Sequence, residues 1–373
     1  MTFRVNRAVA VSAMGNPLSS YEDSKGCVMS TETTEATGKN KNKERNLWVG
    51  FDLGGTKMLA AVYDSDFELL GKKRKPTKGH EGSDAGVERV LGLITKALED
   101  ADVSVDRIAG IGIGAPGPLD VVDGIVLDTP NLGWKNVPIR KELEKEFGCP
   151  AVLMNDVDAG VYGESRFGSA KNARCVVGLF PGTGIGGGCV IDGEIFRGSR
   201  LSCFEVGHMR VVPDGPRCGC GRRGCLEAVA SRLTISSHAA AAAYRGQAPH
   251  LKEAVGTDVS DIKSGVLAAS IKAGDKTIED IVRAAARHLG TAAGSLVNLL
   301  NPDVILLGGG LVEALPDLYS DVVIAAAQKR AMACYRDTFK VKVASLGDYA
   351  SVQGAAAWAR HTLEKSRSGP RTQ

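Results

Sequence analysis

The sequence predicts an α/β protein of two similar lobes with a cleft between them. Three observations carry this. A three-stranded meander hinged on a Gly-rich turn opens at residue 47, and a second Gly-hinged strand set opens at residue 175. After each, buried strands alternate with amphipathic helices. Such an internal duplication predicts two α/β lobes. A cluster of one histidine and three cysteines lies between residues 205 and 227 and holds a loop of the second half.

The chain has 373 residues, 43% hydrophobic and 24% charged, an ordinary soluble composition. Its length suits two domains of typical size. A net charge of +3 gives no reason to expect a nucleic-acid partner. The longest uncharged run, 175–191, contains six glycines and a proline, so it is no membrane span. The opening MTFRVNRAVAVSAMG has two arginines before a short apolar run and resembles a signal peptide only weakly, because the apolar part is brief. Nine cysteines with a zinc-like cluster argue for a reducing compartment, so the protein is expected in the cytoplasm.

Residues 1–46 lack apolar periodicity, and 30–46 are almost wholly polar, so this extension is expected to be disordered. It is too polar for a helix-turn-helix domain. Met29 is a candidate initiator, and a chain starting there is expected to fold like the full one. Strands are predicted at 47–53, 57–63 and 67–74, joined at Gly54-Gly55 and at 64–66. A helix follows at 83–101, with Val87, Val90, Leu91, Ile94 and Leu98 on one face. A buried strand at 108–113 leads into GAPGP, followed by a helix at 137–147, a strand at 151–154 and a helix at 156–166. The second half reads as a strand at 175–180, the loop GTGIGGG, and strands at 189–192 and 194–196. Helices come after residue 227, with a clear one at 277–300. A strand at 304–307 ends in GGG. A helix at 321–331, a strand at 341–344 and a helix at 351–363 close the chain. The expected domains are therefore 47–170 with the last helix 351–365, and 171–350 with the loop 205–227.

The chemistry sits in the loops. His208, Cys218, Cys220 and Cys225 supply the imidazole and thiolates that a tetrahedral zinc ion prefers. A disulfide with spare thiols is the plainer alternative, but C-x-C-x4-C beside a histidine is the more usual metal pattern. Four protein ligands leave no open position, so the metal is expected to be structural. DLGGTK, 52–57, is a turn whose free N–H groups can face a phosphate while Asp52 reaches a phosphate-bound Mg2+ through water. It reads equally as a plain β-turn. GTGIGGG, 182–188, matches G-x-G-x-x-G formally, but strands rather than a helix follow it. A second phosphate loop therefore fits better than a dinucleotide fingerprint, with Thr183 adding a hydroxyl donor. GGGL, 308–311, lets a planar ligand approach the backbone. Asn155-Asp156 is either a helix cap or places Asp156 as a general base at the carboxyl end of a strand.

Together DLGGTK, GAPGP, PNLGW (130–134), Asn155-Asp156, GTGIGGG, EVGH (205–208), CGCGRRGCLE (218–227) and LGGGL (307–311) resemble the ROK family of sugar kinases and repressors, and within it the ATP-dependent glucokinases. The motifs occur in order over about 47–365. The resemblance implies the actin-like ATPase duplication, with the last helix packed back on the first lobe. It implies that Asp156 deprotonates the 6-hydroxyl of glucose, giving glucose 6-phosphate and ADP. Asn131, Asn155, Asp156, Glu205, His208 and Glu227 would hold the sugar hydroxyls, with His208 giving one ring nitrogen to zinc and the other to the sugar. Asp52, Gly55, Thr56, Lys57, Thr183 and Gly184 would bind the ATP phosphates and Mg2+, and Gly309 and Gly310 the adenosine side. ATP, Mg2+ and a structural Zn2+ are thus the expected cofactors, in a homo-oligomer, dimer or tetramer. The alternatives are a kinase for fructose, N-acetylmannosamine or N-acetylglucosamine, or a sugar-sensing protein without turnover. The sequence departs from the family at Met154 and Val157, where MNDV stands in place of a carboxylate then NDA, and at Leu201 and Cys203 near the sugar loop, where small residues are usual.

Overall fold

The computed structural model describes residues 44–129, 132–199 and 203–368. The expected extension and the candidate start at Met29 lie outside the described residues, apart from 44–46.

The first half builds β1 (Leu47–Leu53), β2 (Lys57–Tyr63) and β3 (Leu69–Pro76), then α1 (Ser83–Asp100), β4 (Ile108–Ala115), β5 (Leu119–Asp120), β6 (Ile125–Thr129) and β7 (Trp134–Val137). It ends with α2 (Ile139–Phe147), β8 (Ala151–Asn155) and α3 (Asp156–Arg166). The second half builds β9 (Cys175–Pro181), β10 (Ile185–Ile191) and β11 (Glu194–Ile195). Four helices follow: α4 (Leu226–Ala230), α5 (Arg232–Tyr244), α6 (Pro249–Val255) and α7 (Ser264–Ala273). Then come α8 (Lys276–Leu300), β12 (Val304–Leu307), α9 (Gly310–Ala314), α10 (Pro316–Arg330), β13 (Lys340–Val343) and α11 (Tyr349–Arg367).

Two five-stranded sheets repeat one plan, in the orders β3-β2-β1-β4-β8 and β11-β10-β9-β12-β13. In each, an antiparallel meander supplies the first three strands; a fourth joins its first member in parallel, and a fifth joins the fourth in parallel. The parallel strands read as unbroken buried runs. Every residue of β4, IAGIGIGA, is buried, as a strand covered on both faces requires.

Helices α3 and α11 pack on each other and share one core with both sheets. Trp48 and Ala61 reach that core from the first sheet, and Val176, Val190 and Leu306 from the second. Tyr162 of α3 meets Trp358 of α11 edge to face, ring centroids 5.0 Å apart. Helix α11 lies against β1 and β4 where those strands have no side chain. A Cβ at Gly50 or Gly112 would fall 1.9 Å from the carbonyl oxygen of Val352 or Ala355. Those atoms are helix backbone and cannot step aside, so Gly112→Ala is expected to destabilise the protein by about 3 kcal/mol through overpacking. Urea denaturation reads this out, and an unchanged midpoint would count against such close packing.

The structure departs from these expectations at several boundaries: β3 starts at Leu69 rather than 67 and α11 at Tyr349 rather than 351. GTGIGGG is not loop throughout, because β10 already starts at Ile185. Its later glycines are small for packing: a Cβ at Gly186 would meet Val157 at 2.6 Å, and one at Gly187 would meet Val206 at 2.4 Å. The helix expected from 137 starts at Ile139, since Val137 pairs with Val126 and Pro138 ends the strand. The helix expected from 321 starts at Pro316, where proline suits a first helical turn. The small sheet β5-β6-β7 went unread because its strands are short and mix buried with exposed residues.

Candidate active site and metal centre

The carboxyl ends of the parallel strands β1, β4 and β8 lie along one edge, the place where open α/β sheets gather ligands. They deliver Asp52, Gly114 and the pair Asn155-Asp156. The β1–β2 turn leaves Gly55 and Thr56 exposed. It is braced from outside by Thr77, whose hydroxyl donates to Gly54 O at 2.6 Å and whose N–H donates to Thr56 O at 2.9 Å. Asp52 Oδ1 accepts from the Ser351 hydroxyl at 3.0 Å. Its other oxygen has no hydrogen bond among the described residues. A half-buried carboxylate with one oxygen to spare, beside exposed backbone, suits the water shell of a hard cation such as Mg2+. Burial, and then the charge of Asp156, push the Asp52 carboxyl up to about 7. Lys57 is exposed and lies against Asp348, its ammonium 3.0 Å from both carboxylate oxygens.

Asn155 caps α3, its side-chain oxygen accepting from Val157 N at 2.9 Å and Asp158 N at 3.2 Å. The capping reading and the functional one therefore divide between neighbours: Asn155 caps the helix, and Asp156 sits in its first turn, where its Oδ1 also accepts from Val157 N at 2.9 Å. Burial raises the Asp156 pKa, backbone N–H groups oppose that, and the charge of Glu205 adds to it. Asp156 thus lies within electrostatic reach of both Asp52 and Glu205. A carboxyl group with a raised pKa at such an edge is fitted for general-base work.

On the second sheet, the turn between β9 and β10 presents Thr183 and Gly184. The Arg232 guanidinium donates to the Thr183 hydroxyl at 2.6 Å, and Arg232 N donates to Gly182 O at 2.8 Å. Glu227, at the start of α4, accepts from Ile185 N at 3.1 Å and so ties this turn to the cysteine loop. Gly309 has φ +86, which side-chain-bearing residues rarely adopt, and Gly310 opens α9 beside it.

The four metal-type ligands converge, all within 4.8 Å of one another. His208 Nδ1 is 3.6 Å from Cys218 Sγ, and Cys220 Sγ is 3.7 Å from Cys225 Sγ. Tetrahedral zinc, with Zn–S about 2.3 Å and Zn–N about 2.0–2.1 Å, sets a sulfur–sulfur edge of about 3.8 Å and a nitrogen–sulfur edge of about 3.6 Å. The cluster fits that ion. A disulfide, with sulfurs about 2.05 Å apart, does not match the Cys220–Cys225 spacing.

Of the residues read from sequence, Asp52, Asn155 and Asp156 meet at the first sheet's edge, and Thr183, Gly184 and Glu227 meet at the second turn. His208 joins the cysteines. Asn131, Leu201 and Ser202 lie outside the described residues. Cys203 is half-buried, its thiol 3.4 Å from Phe196 O. Sequence reading missed Ser351, Asp348 and Arg232. Only Arg232 carries a local signal: a cation in the first turn of α5 opposes the helix dipole, which calls for a partner such as an anion.

The ROK family profile matches residues 48–362. A glucokinase of Streptomyces coelicolor is 33% identical over 84% of this chain and 98% of its own. A xylose repressor of Caldicellulosiruptor bescii is 28% identical over 85% of this chain and 78% of its own. The crystal structure of a ROK family glucokinase from Streptomyces griseus, in complex with glucose and AMPPNP, superposes with a TM-score of 0.73. It is 31% identical and covers 84% of this chain and 99% of that one.

Proposed function

Because the chain belongs to the ROK family, we propose that it is an ATP-dependent hexose kinase that phosphorylates the 6-hydroxyl of glucose. The observation that carries this reading is Asp156: a carboxylate of raised pKa in the first turn of the helix that Asn155 caps, at the edge where Asp52 and its exposed turn also lie. In this reading Asp156 takes the proton of the sugar hydroxyl as its oxygen attacks the terminal phosphorus of ATP. ADP leaves, and the proton passes to solvent. The backbone of Gly55 and Thr56, with Lys57, Thr183 and Gly184, holds the phosphates, and Gly309 and Gly310 flank the adenosine. Mg2+, when bound, offsets phosphate charge, and Asp52 would hold its water shell. Residues 47–170 with 351–365, and 171–350, would act as lobes closing on the substrates.

His208, Cys218, Cys220 and Cys225 would hold a structural zinc. Because Nδ1 faces the cysteines, the other ring nitrogen of His208 is left for a sugar hydroxyl, beside Glu205 and Glu227. Asn131 and Asn155 complete the proposed sugar set. A reducing cytoplasm suits both the thiolates and the supply of ATP.

This polar set favours glucose over fructose and over N-acetylated hexosamines. A site built to hydrogen-bond a hydroxyl rejects analogues lacking it by as much as about 10^4-fold. The test is kcat/KM for glucose, mannose, fructose, N-acetylglucosamine and N-acetylmannosamine at one ATP concentration. Glucose is expected to lead. An N-acetylated sugar ahead by about tenfold would replace the sugar and keep the kinase. Hexose binding with no turnover on any sugar would favour a sensor and remove the kinase reading.

A further inference from the structure

The connection from β13 into α11 touches α3 and both ends of the DLGGTK turn within seven residues. At its start, Ser345 N and Leu346 N each donate to Glu164 Oε1 at 2.7 Å. Glu164 is fully buried near the end of α3, the helix that Asp156 opens, and its other oxygen accepts from Ser169 N at 2.8 Å. A buried carboxylate this well supplied with backbone donors fixes where the connection begins. Next, Asp348 accepts from Lys57, and from Arg74 at 2.7 Å, which holds the far end of the DLGGTK turn. Last, Ser351 donates to Asp52 at 3.0 Å, at the near end of the same turn.

The Ser351 hydroxyl has no part in closing its own helix. The N-cap of α11 is Asp348, and no side chain caps that end. The hydroxyl points instead into the gap kept open by Gly114, where a Cβ would come 3.1 Å from Ser351 Oγ and 3.3 Å from Asp156 Cα. Ser351 therefore stands between the two carboxyl-bearing strand ends and is bonded to one of them.

We propose that Ser351 is a positioning residue for Asp52. Its hydroxyl engages Oδ1 and aims Oδ2 at the hydrated cation of a Mg2+–nucleotide complex. The inference rests on the kinase reading above. It adds a residue that lies 299 positions from Asp52 in sequence. A hydrogen bond to a charged group contributes enough that its loss weakens the dependent interaction by about tenfold or more.

The experiment is calorimetric binding of a non-hydrolysable ATP analogue, with Mg2+ and with EDTA, to wild type, Ser351→Ala and Ser351→Thr, with glucose binding measured alongside. Ser351→Ala is expected to weaken the Mg2+ complex by about tenfold. Metal-free nucleotide and glucose should bind as before, and Ser351→Thr, which keeps the hydroxyl, should restore the affinity. Steady-state kinetics should match, with a raised KM for MgATP and an unchanged KM for sugar. The inference is overturned if Ser351→Ala binds the Mg2+ complex like wild type. It is equally overturned if the variant loses metal-free nucleotide or glucose to the same degree, or if the threonine variant behaves like the alanine one. Failure of the kinase reading looks different: wild type itself would bind no Mg2+–nucleotide, and both would fall.

Discussion

Asp156→Asn is expected to lower kcat by about 10^2–10^4-fold, the usual worth of a general base, with hexose affinity little changed. Asparagine keeps the shape and one acceptor oxygen but cannot take a proton. Its place in the first turn of α3 does not depend on charge, because Asn155 supplies the cap. The loss should appear in kcat rather than in the KM for MgATP, for a reason specific to this site. The Asp156 charge is one of the causes that push Asp52 up, so removing it leaves Asp52 more readily ionised. Nucleotide binding through Asp52 is then preserved while turnover collapses. Single-turnover and steady-state kinetics with sugar binding by calorimetry check this. A variant keeping near-normal turnover would place the base elsewhere.

Much of this was legible in the sequence, and the reasons are local. The meander of β1, β2 and β3 shows itself because strand periodicity and a Gly-Gly turn are short-range signals. So does the break at Asn155, where a buried strand ends on a capping residue. The cysteine loop shows itself by spacing alone. What stayed hidden depends on approach between distant segments. The glycines at 186 and 187 look like loop residues until Val157 and Val206 are seen against them. Nothing in YASVQGAAAW tells that Ser351 bonds Asp52, because the partner is set by how α11 lies across β1 and β4. Lys57 reads as a phosphate ligand from its motif, and only the folded chain pairs it with Asp348.

Removing the metal is the other change expected to have a large effect. Protein purified without added metal should carry one zinc per chain by elemental analysis. Replacing Cys218 with serine should abolish that content and weaken glucose binding by about 10–100-fold, the scale on which groups that orient a metal-site histidine act. Cys218 is chosen because it is buried and its sulfur lies nearest His208, at 3.6 Å from Nδ1. Without the metal, only the Cys218 thiol at 3.6 Å faces that ring nitrogen, and Cys218→Ser removes the thiol too, so the ring is free to turn its sugar-facing edge away. The loss should reach the second turn as well. Glu227 follows Cys225 by two residues and carries the acceptor for Ile185 N, so a loosened loop also loosens Thr183 and Gly184. Stability falls too, since structural zinc in zinc-finger peptides binds with about 10–16 kcal/mol and part of that is folding energy. The order of events under chelation separates the two roles. Sugar affinity should fall before the helices melt by circular dichroism, because the sheets and α3 have their own cores. Folded, active protein without zinc would refute the metal centre outright, and loss of zinc with glucose binding intact would free His208 from the sugar.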